Sequence, residues 1–254
     1  MPDTGILYDA SEAPVRILPD GVLEFISQPS VAGILIVLVI GAGFFLLFSH
    51  RRRALATLAA SMGIPFTETG PEISFIERTG LPLFNTGSRH KTYNLMEMRG
   101  GGSVPDMRFF DYEYDAGYPH DERDHYKKRN IHQVTVALFS YETLKIPAFQ
   151  LKPESLLDKV GEFSGFKGED IDIPAFPGFS RKYRLTGPEK PEVLAFFNPN
   201  TVAYFEQHPG WYVEGFVRHL LLHKGVKMFP LRPSAYRNFM DEAKNLIFSV
   251  VKQV

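Results

Sequence analysis

From Val31 to Phe48 the chain reads VAGILIVLVIGAGFFLLF, with no charged and no strongly polar side chain. A helix of that length reaches roughly 27 Å, close to the ~30 Å hydrocarbon layer of a bilayer. Ser30 and Ser49 extend it, so the pattern predicts a transmembrane helix over residues 30–50. A secretory signal peptide is excluded, because an acidic stretch of chain precedes the run and arginines follow it in place of a cleavage site. A buried core helix would carry a polar stripe, and this run is apolar all round. Arg51, Arg52 and Arg53 then close the run. Clustered arginines beside a span stay on the cytoplasmic side and meet anionic headgroups, so these three are the expected membrane anchor. Residues 1–29 become a short extracytoplasmic tail and residues 51–63 a juxtamembrane helix, stopped at Gly63 with Pro65 beyond it.

The pattern changes to alternation after a connector broken by Pro65, Gly70 and Pro71. Strands are predicted over 90–100 and 106–117, joined by a hairpin at Gly101–Ser103, then over 131–142 and 146–153. In the second strand Phe110, Tyr112 and Tyr114 share one face, and Met107, Phe109 and Asp111 the other. Pro153 opens a predicted short helix, ESLLDKVGEF, and residues 164–178 are Gly- and Pro-rich and irregular. A strand is predicted over 179–187, followed by two short helices split at Pro199 with Asn200 as N-cap of the second. Residues 211–225 read as two strands turning near Gly215. Ser234 caps a long last helix with Phe239, Ala243, Leu246, Ile247 and Val250 on one stripe. The predicted fold class is α+β: one N-terminal transmembrane helix, then a β-rich cytoplasmic domain, 64–254, of antiparallel hairpins with interleaved helices and a long C-terminal helix.

Composition narrows the function. Of 28 Lys and Arg, four are Arg16 and Arg51 to Arg53; of 29 acids, five lie in the tail. The remainder is 24 cations against 24 acids, a balance that argues against a nucleic-acid partner. There is no cysteine, which suits a cytoplasmic domain without requiring one.

The strings LPLFNTG (81–87), FDYEYDAG (110–117), QVTVALF (133–139), IPAFQLKPES (146–155), GEDIDIP (168–174), FSRKYRLTG (179–187) and HPGWYVEG (208–215) follow one another in a distinctive order. In that order the chain resembles an uncharacterised bacterial family of membrane-anchored proteins with one N-terminal span and one soluble domain. The resemblance covers nearly all of residues 80–250. It implies this architecture and implies no activity.

Candidate chemistry is sparse. The loop His120-Asp121-Glu122-Arg123-Asp124-His125, with His132 nearby, holds metal-ligand residue types, but interleaved cations and irregular spacing fit a solvated hairpin tip better. Glu169, Asp170 and Asp172 are the right carboxylates for Mg²⁺ or Ca²⁺, yet alternate with Ile171 and Ile173 as an edge strand does. His219 and His223 share a face but lack the glutamate of a zinc-protease helix. No cysteine, GxSxG or SxxK nucleophile, no phosphate loop and no dinucleotide fingerprint is present. Gly33, Gly41 and Gly43 are candidates for close helix packing along the span.

Two functions are therefore expected from different classes. The first is a non-catalytic accessory or scaffold subunit of a bacterial inner-membrane complex, without cofactor. Its partners are lipid and other membrane subunits, with the N-terminus outside and the cytoplasmic domain as the interaction module. In topology alone this layout matches the H-type subunit of photosynthetic reaction centres. The second is a membrane-tethered, divalent-metal-dependent enzyme or ligand sensor built on the EDID carboxylates and the histidines.

Overall fold

In the computed structural model, residues 29–117, 130–154, 166, 168–225 and 232–251 are described. The predicted tail, the charged loop His120–His125 and the predicted helix after Pro153 lie outside them. The chain divides into two units, Met1–His50 and Arg51–Val254.

One helix, α1 (Pro29–Ser61), carries residues of both units. In the first unit, Ile34, Ile36, Val37, Leu38 and Ile40 are exposed. A Cβ placed on Gly33 would meet nothing, and the surroundings of Gly41 and Gly43 lie outside the described residues.

The second unit is built on a nine-stranded sheet in which every neighbouring pair is antiparallel. Its strands are β1 (Phe66–Thr69), β2 (Ser88–Met98), β3 (Asp106–Asp115), β4 (Ile131–Ser140), β5 (Ile146–Pro153), β6 (Glu169–Asp170), β7 (Tyr183–Gly187), β8 (Tyr212–Val217) and β9 (His219–His223). The spatial order is β1-β2-β3-β4-β9-β8-β5-β7-β6. The other helices are α2 (Ile73–Glu77), α3 (Pro177–Lys182), α4 (Lys190–Phe196), α5 (Pro199–Gln207) and α6 (Pro233–Val251). A 3₁₀ turn, Pro82–Asn85, precedes β2.

Strand periodicity sends alternate side chains to opposite faces, and both faces are covered. On the first face Phe109, Ala137, Phe139, Leu220 and Leu222 pack with Leu55, Leu58 and Ala59 of α1, Phe205 of α5 and Phe239, Ala243 and Leu246 of α6. On the second, Phe110, Tyr112, Tyr114, Val134, Val136, Leu138 and Leu221 lie under Ile76 of α2 and Leu81, Leu83 and Phe84.

The expected fold class is corrected at its membrane span. Among the described residues no helix is long and apolar enough to cross a membrane, so a transmembrane span followed by hairpins is not the architecture. The arginine triplet also does not end a span. α1 runs on through Arg51–Arg53, and its last turns bury Leu55, Leu58 and Ala59 in the sheet unit's core. The β-rich part, in turn, is one continuous sheet. β5 pairs with β8 and β7, and β4 with β9, closing hairpin-distant strands into a single layer.

Local differences have clear causes. Residues 177–182 form α3 in place of the first half of a strand, started by Pro177 at its first turn and burying Phe179. The N-cap of α5 is Asn198, not Asn200: its side-chain oxygen accepts the N–H groups of Asn200 and Thr201, with Pro199 at N1. Gly215 lies inside β8, because any Cβ there would strike the Phe149 ring; the turn falls at Val217–Arg218.

Candidate functional site

On the second face of the sheet, the sequence YVEGF places Tyr212, Glu214 and Phe216 on one side of β8. Because a 3₁₀ turn closes over that side, Glu214 is sealed in, only 2% exposed. One carboxylate oxygen accepts the Leu83 N–H at 2.9 Å, and the other accepts Gln150 Nε2–H at 2.6 Å. Leu83 lies at the start of its turn, where a backbone N–H has no partner within the turn, so the carboxylate acts as its cap. Burial pushes the Glu214 carboxyl up to about 7, against the pull of Leu83, Gln150 and the Lys152 charge. Burial also lowers Lys152, which Glu214 partly offsets. Next to this pair, Tyr212 stacks on His223 with ring centroids 4.6 Å apart. His223 Nδ1 accepts the Gly225 N–H at 3.2 Å, and burial pushes the ring down to about 3. The buried Tyr212 hydroxyl has no hydrogen-bond partner among the described residues.

The first face carries a second polar centre. Arg51, from α1, is 3% exposed and grips Asp111 of β3 with two hydrogen bonds, Nε at 2.9 Å and Nη2 at 2.7 Å. Thr135 Oγ1 of β4 donates to Asp111 at 2.8 Å, and Asn94 Nδ2 of β2 donates at 2.8 Å. Arg51 also reaches Thr135 and lies 5.9 Å from the Tyr236 ring centroid. Burial works against the guanidinium charge, but Asp111 outweighs it and raises the Arg51 pKa.

The residues singled out from the sequence are dispersed. Glu169 and Asp170 form the short edge strand β6, exposed, with Asp170 3.3 Å from Arg184. Asp172 is exposed between buried Ile171 and Ile173. His219 and His223 are buried on β9 but serve different partners. The Nδ1 of His219 is 2.9 Å from Ser140 Oγ, and burial, then Arg218 and Arg108, push it down to about 4. Among the described residues no three His, Cys, Asp or Glu gather to hold a metal ion. Of the anchoring arginines, Arg51 is buried in the Asp111 network, Arg52 pairs with exposed Glu68 at 2.7 Å, and Arg53 is exposed. Glu214 and Asp111 are the most deeply buried acids of the sheet among the described residues, and pattern alone pointed to neither. The one available signal was an acid on the same strand face as Tyr212 and Phe216.

The chain matches no protein-family model and no curated protein. Its fold is similar to that of the crystal structure of the mycobacterial trehalose monomycolate transport factor A, TtfA. The TM-score is 0.52 at 11% identity, over 80% of this chain and 93% of that one.

Proposed function

We propose that this chain is a non-catalytic accessory protein of a bacterial membrane complex, with the sheet unit as its protein-interaction module at the cytoplasmic face of the inner membrane. The observation that carries the reading is the likeness of its fold to TtfA, a mycobacterial trehalose monomycolate transport factor. The chemistry of the sheet agrees with this role. Its buried charges are spent on holding elements together, Arg51 on Asp111 and Glu214 on Leu83, which is what a rigid scaffold requires. The balanced charge favours protein partners over nucleic acid.

The test is purification of the full chain from native membranes in mild detergent, with cross-linking before lysis. A stoichiometric complex with membrane subunits, joined by cross-links to the sheet unit, is the expected result. Recovery of the chain alone, without cross-links, overturns the reading.

A further inference from the structure

Strand β2 holds one residue more than its pairing with β3 requires. Tyr93 stands opposite Asp111 and Met96 opposite Phe109, so three steps along β2 match two along β3, which is a bulge. Directly opposed residues share a face, so Tyr93 lies on the first face with Asp111. Leu95 packs against the core of the second face, and Met96 is back in the core of the first. In a regular strand Asn94 would follow Tyr93 onto the second face. The bulge turns it the other way. Asn94 has φ 55°, is buried, and donates its Nδ2–H to Asp111 Oδ2 on the first face at 2.8 Å. Asparagine is one of the few residues besides glycine that visit this left-handed region.

The extra residue completes a cage around one carboxylate. Thr135 stands directly opposite Asp111 on β4 and donates its hydroxyl proton to Oδ1 at 2.8 Å. The same hydroxyl oxygen accepts Arg51 Nη2–H at 3.1 Å, so it faces carboxylate and guanidinium at once. Arg51 Nε and Nη2 meet Oδ2 and Oδ1 at 2.9 and 2.7 Å, the fork geometry of a two-point carboxylate contact. The Tyr236 ring of α6 lies 5.9 Å from the guanidinium carbon. Asn94, Asp111 and Thr135 sit on the adjacent strands β2, β3 and β4, and the bonds among these three do not involve α1.

We propose that Asp111, Asn94 and Thr135 form a guanidinium-binding site assembled within the sheet, which takes a free guanidinium cation when the one on Arg51 is removed. Arg51 is the site's intramolecular ligand. The sheet unit recognises α1 by an arginine followed at helical spacing by Leu55, Leu58 and Ala59, the stripe that enters the first-face core. Truncating Arg51 to alanine removes the atoms of one ethylguanidinium ion and leaves Asp111 held by Asn94 and Thr135. A buried carboxylate stripped of its cation gains strongly from a replacement. A planar fork fills both oxygens at once, whereas an ammonium of equal charge presents its donors from a single atom.

The test is thermal unfolding of the full Arg51→Ala chain with ethylguanidinium chloride at millimolar concentrations, far below those that denature. A ligand that binds the folded chain raises its melting temperature by mass action. The melting temperature of Arg51→Ala is expected to rise with ethylguanidinium and clearly less with ethylammonium chloride, while the wild type, its site filled, does not respond. Adding Asp111→Asn to Arg51→Ala is expected to abolish the response. Adding Asn94→Gly instead, which keeps the left-handed backbone but removes the amide, should demand about tenfold more ethylguanidinium for the same rise. No response, an equal response to both cations, one that survives Asp111→Asn, or one undiminished by Asn94→Gly overturns the proposal. If Arg51→Ala is unfolded by itself, the far-ultraviolet circular dichroism is read in its place. Recovery with ethylguanidinium and not with ethylammonium supports the site, and no recovery ends it.

Discussion

Arg51 and Asp111, sixty residues apart in the chain, form a two-point ion pair inside the sheet unit, one oxygen to Nη2 at 2.7 Å and the other to Nε at 2.9 Å. Asp111 has no spare lone pair there, because Thr135 and Asn94 fill the rest of its hydrogen-bonding capacity. A guanidinium that reads from the sequence as a headgroup contact is therefore the peg that fixes the last turns of α1 to β2, β3 and β4.

Removing one partner of this pair strands a buried charge. Arg51→Ala or Asp111→Ala is expected to cost about 3–5 kcal/mol in urea denaturation of the full chain. The double variant Arg51→Met/Asp111→Leu, which removes both charges and keeps volume, should cost less than the sum of the single changes. Additive losses would show that the two residues act independently.

Much of the sheet is legible in the sequence because alternation is a local property. β3, β4 and β5 fall within two residues of the ranges read from periodicity, and Phe110, Tyr112 and Tyr114 do share a face. What alternation does not encode is which strand lies beside which. The insertion of β5 between β8 and β7 depends on contacts between segments far apart in the chain. Glu214 escaped for the same reason. An acid alternating with Val213 reads as a solvent-facing position until a turn from residues 82–85 is known to close over it. Arg51 escaped because three adjacent arginines beside an apolar run look alike, and only the tertiary position of Asp111 separates the first from the other two.

The titrating groups pull stability in opposite directions with pH. His219 and His223 are depressed to about 4 and about 3, so their contribution is present above their ordinary 6.5 and is lost as pH falls. Glu214 is raised to about 7, so its contribution is full below 4.5 and is lost as pH rises through its folded value. Between 4.5 and 6.5 the unfolded chain binds both histidine protons, whereas the folded chain binds the Glu214 proton. Glu214→Gln should therefore steepen the rise of unfolding free energy with pH by one proton, about 1.4 kcal/mol per unit. His223→Phe, which keeps the stack on Tyr212, should make it shallower by the same amount. Denaturation series at several pH values across this window measure both slopes, and unchanged slopes would mean these groups are hydrated in the folded chain.

Asn198 holds the start of α5 through its side-chain oxygen, 3.0 Å from the Asn200 N–H and 3.1 Å from that of Thr201. Asn198→Ala should lower stability by about 1 kcal/mol, and Asn198→Asp should retain most of it. Asn200→Ala should leave the cap itself intact, because the side-chain oxygen that holds the first turn belongs to Asn198. Equal losses at the two positions would move the cap back to Asn200.

The β8–β9 turn places a β-branched residue, Val217, in the left-handed region. Val217 has φ 56°, and the Arg218 N–H reaches back to the Phe216 carbonyl at 2.7 Å, so the chain reverses within two residues. A two-residue hairpin favours positive φ at its first turn position, which suits glycine or asparagine. A β-branched side chain in that region crowds the neighbouring carbonyl, at about 1–2 kcal/mol. The valine is 54% exposed, so little core packing offsets that cost. Val217→Gly relieves the crowding but gives the unfolded chain more freedom, which returns roughly 0.5–1 kcal/mol. The net expectation is a gain of about 0.5–1 kcal/mol in thermal or urea unfolding. Val217→Asn, which tolerates the left-handed region without glycine's extra freedom, should gain at least as much. Val217→Ala should gain less than either, because it removes the branching but keeps the Cβ. If all three variants were less stable than the parent, the valine would be held by packing on its turn, and the strain would not be the dominant energy at this position.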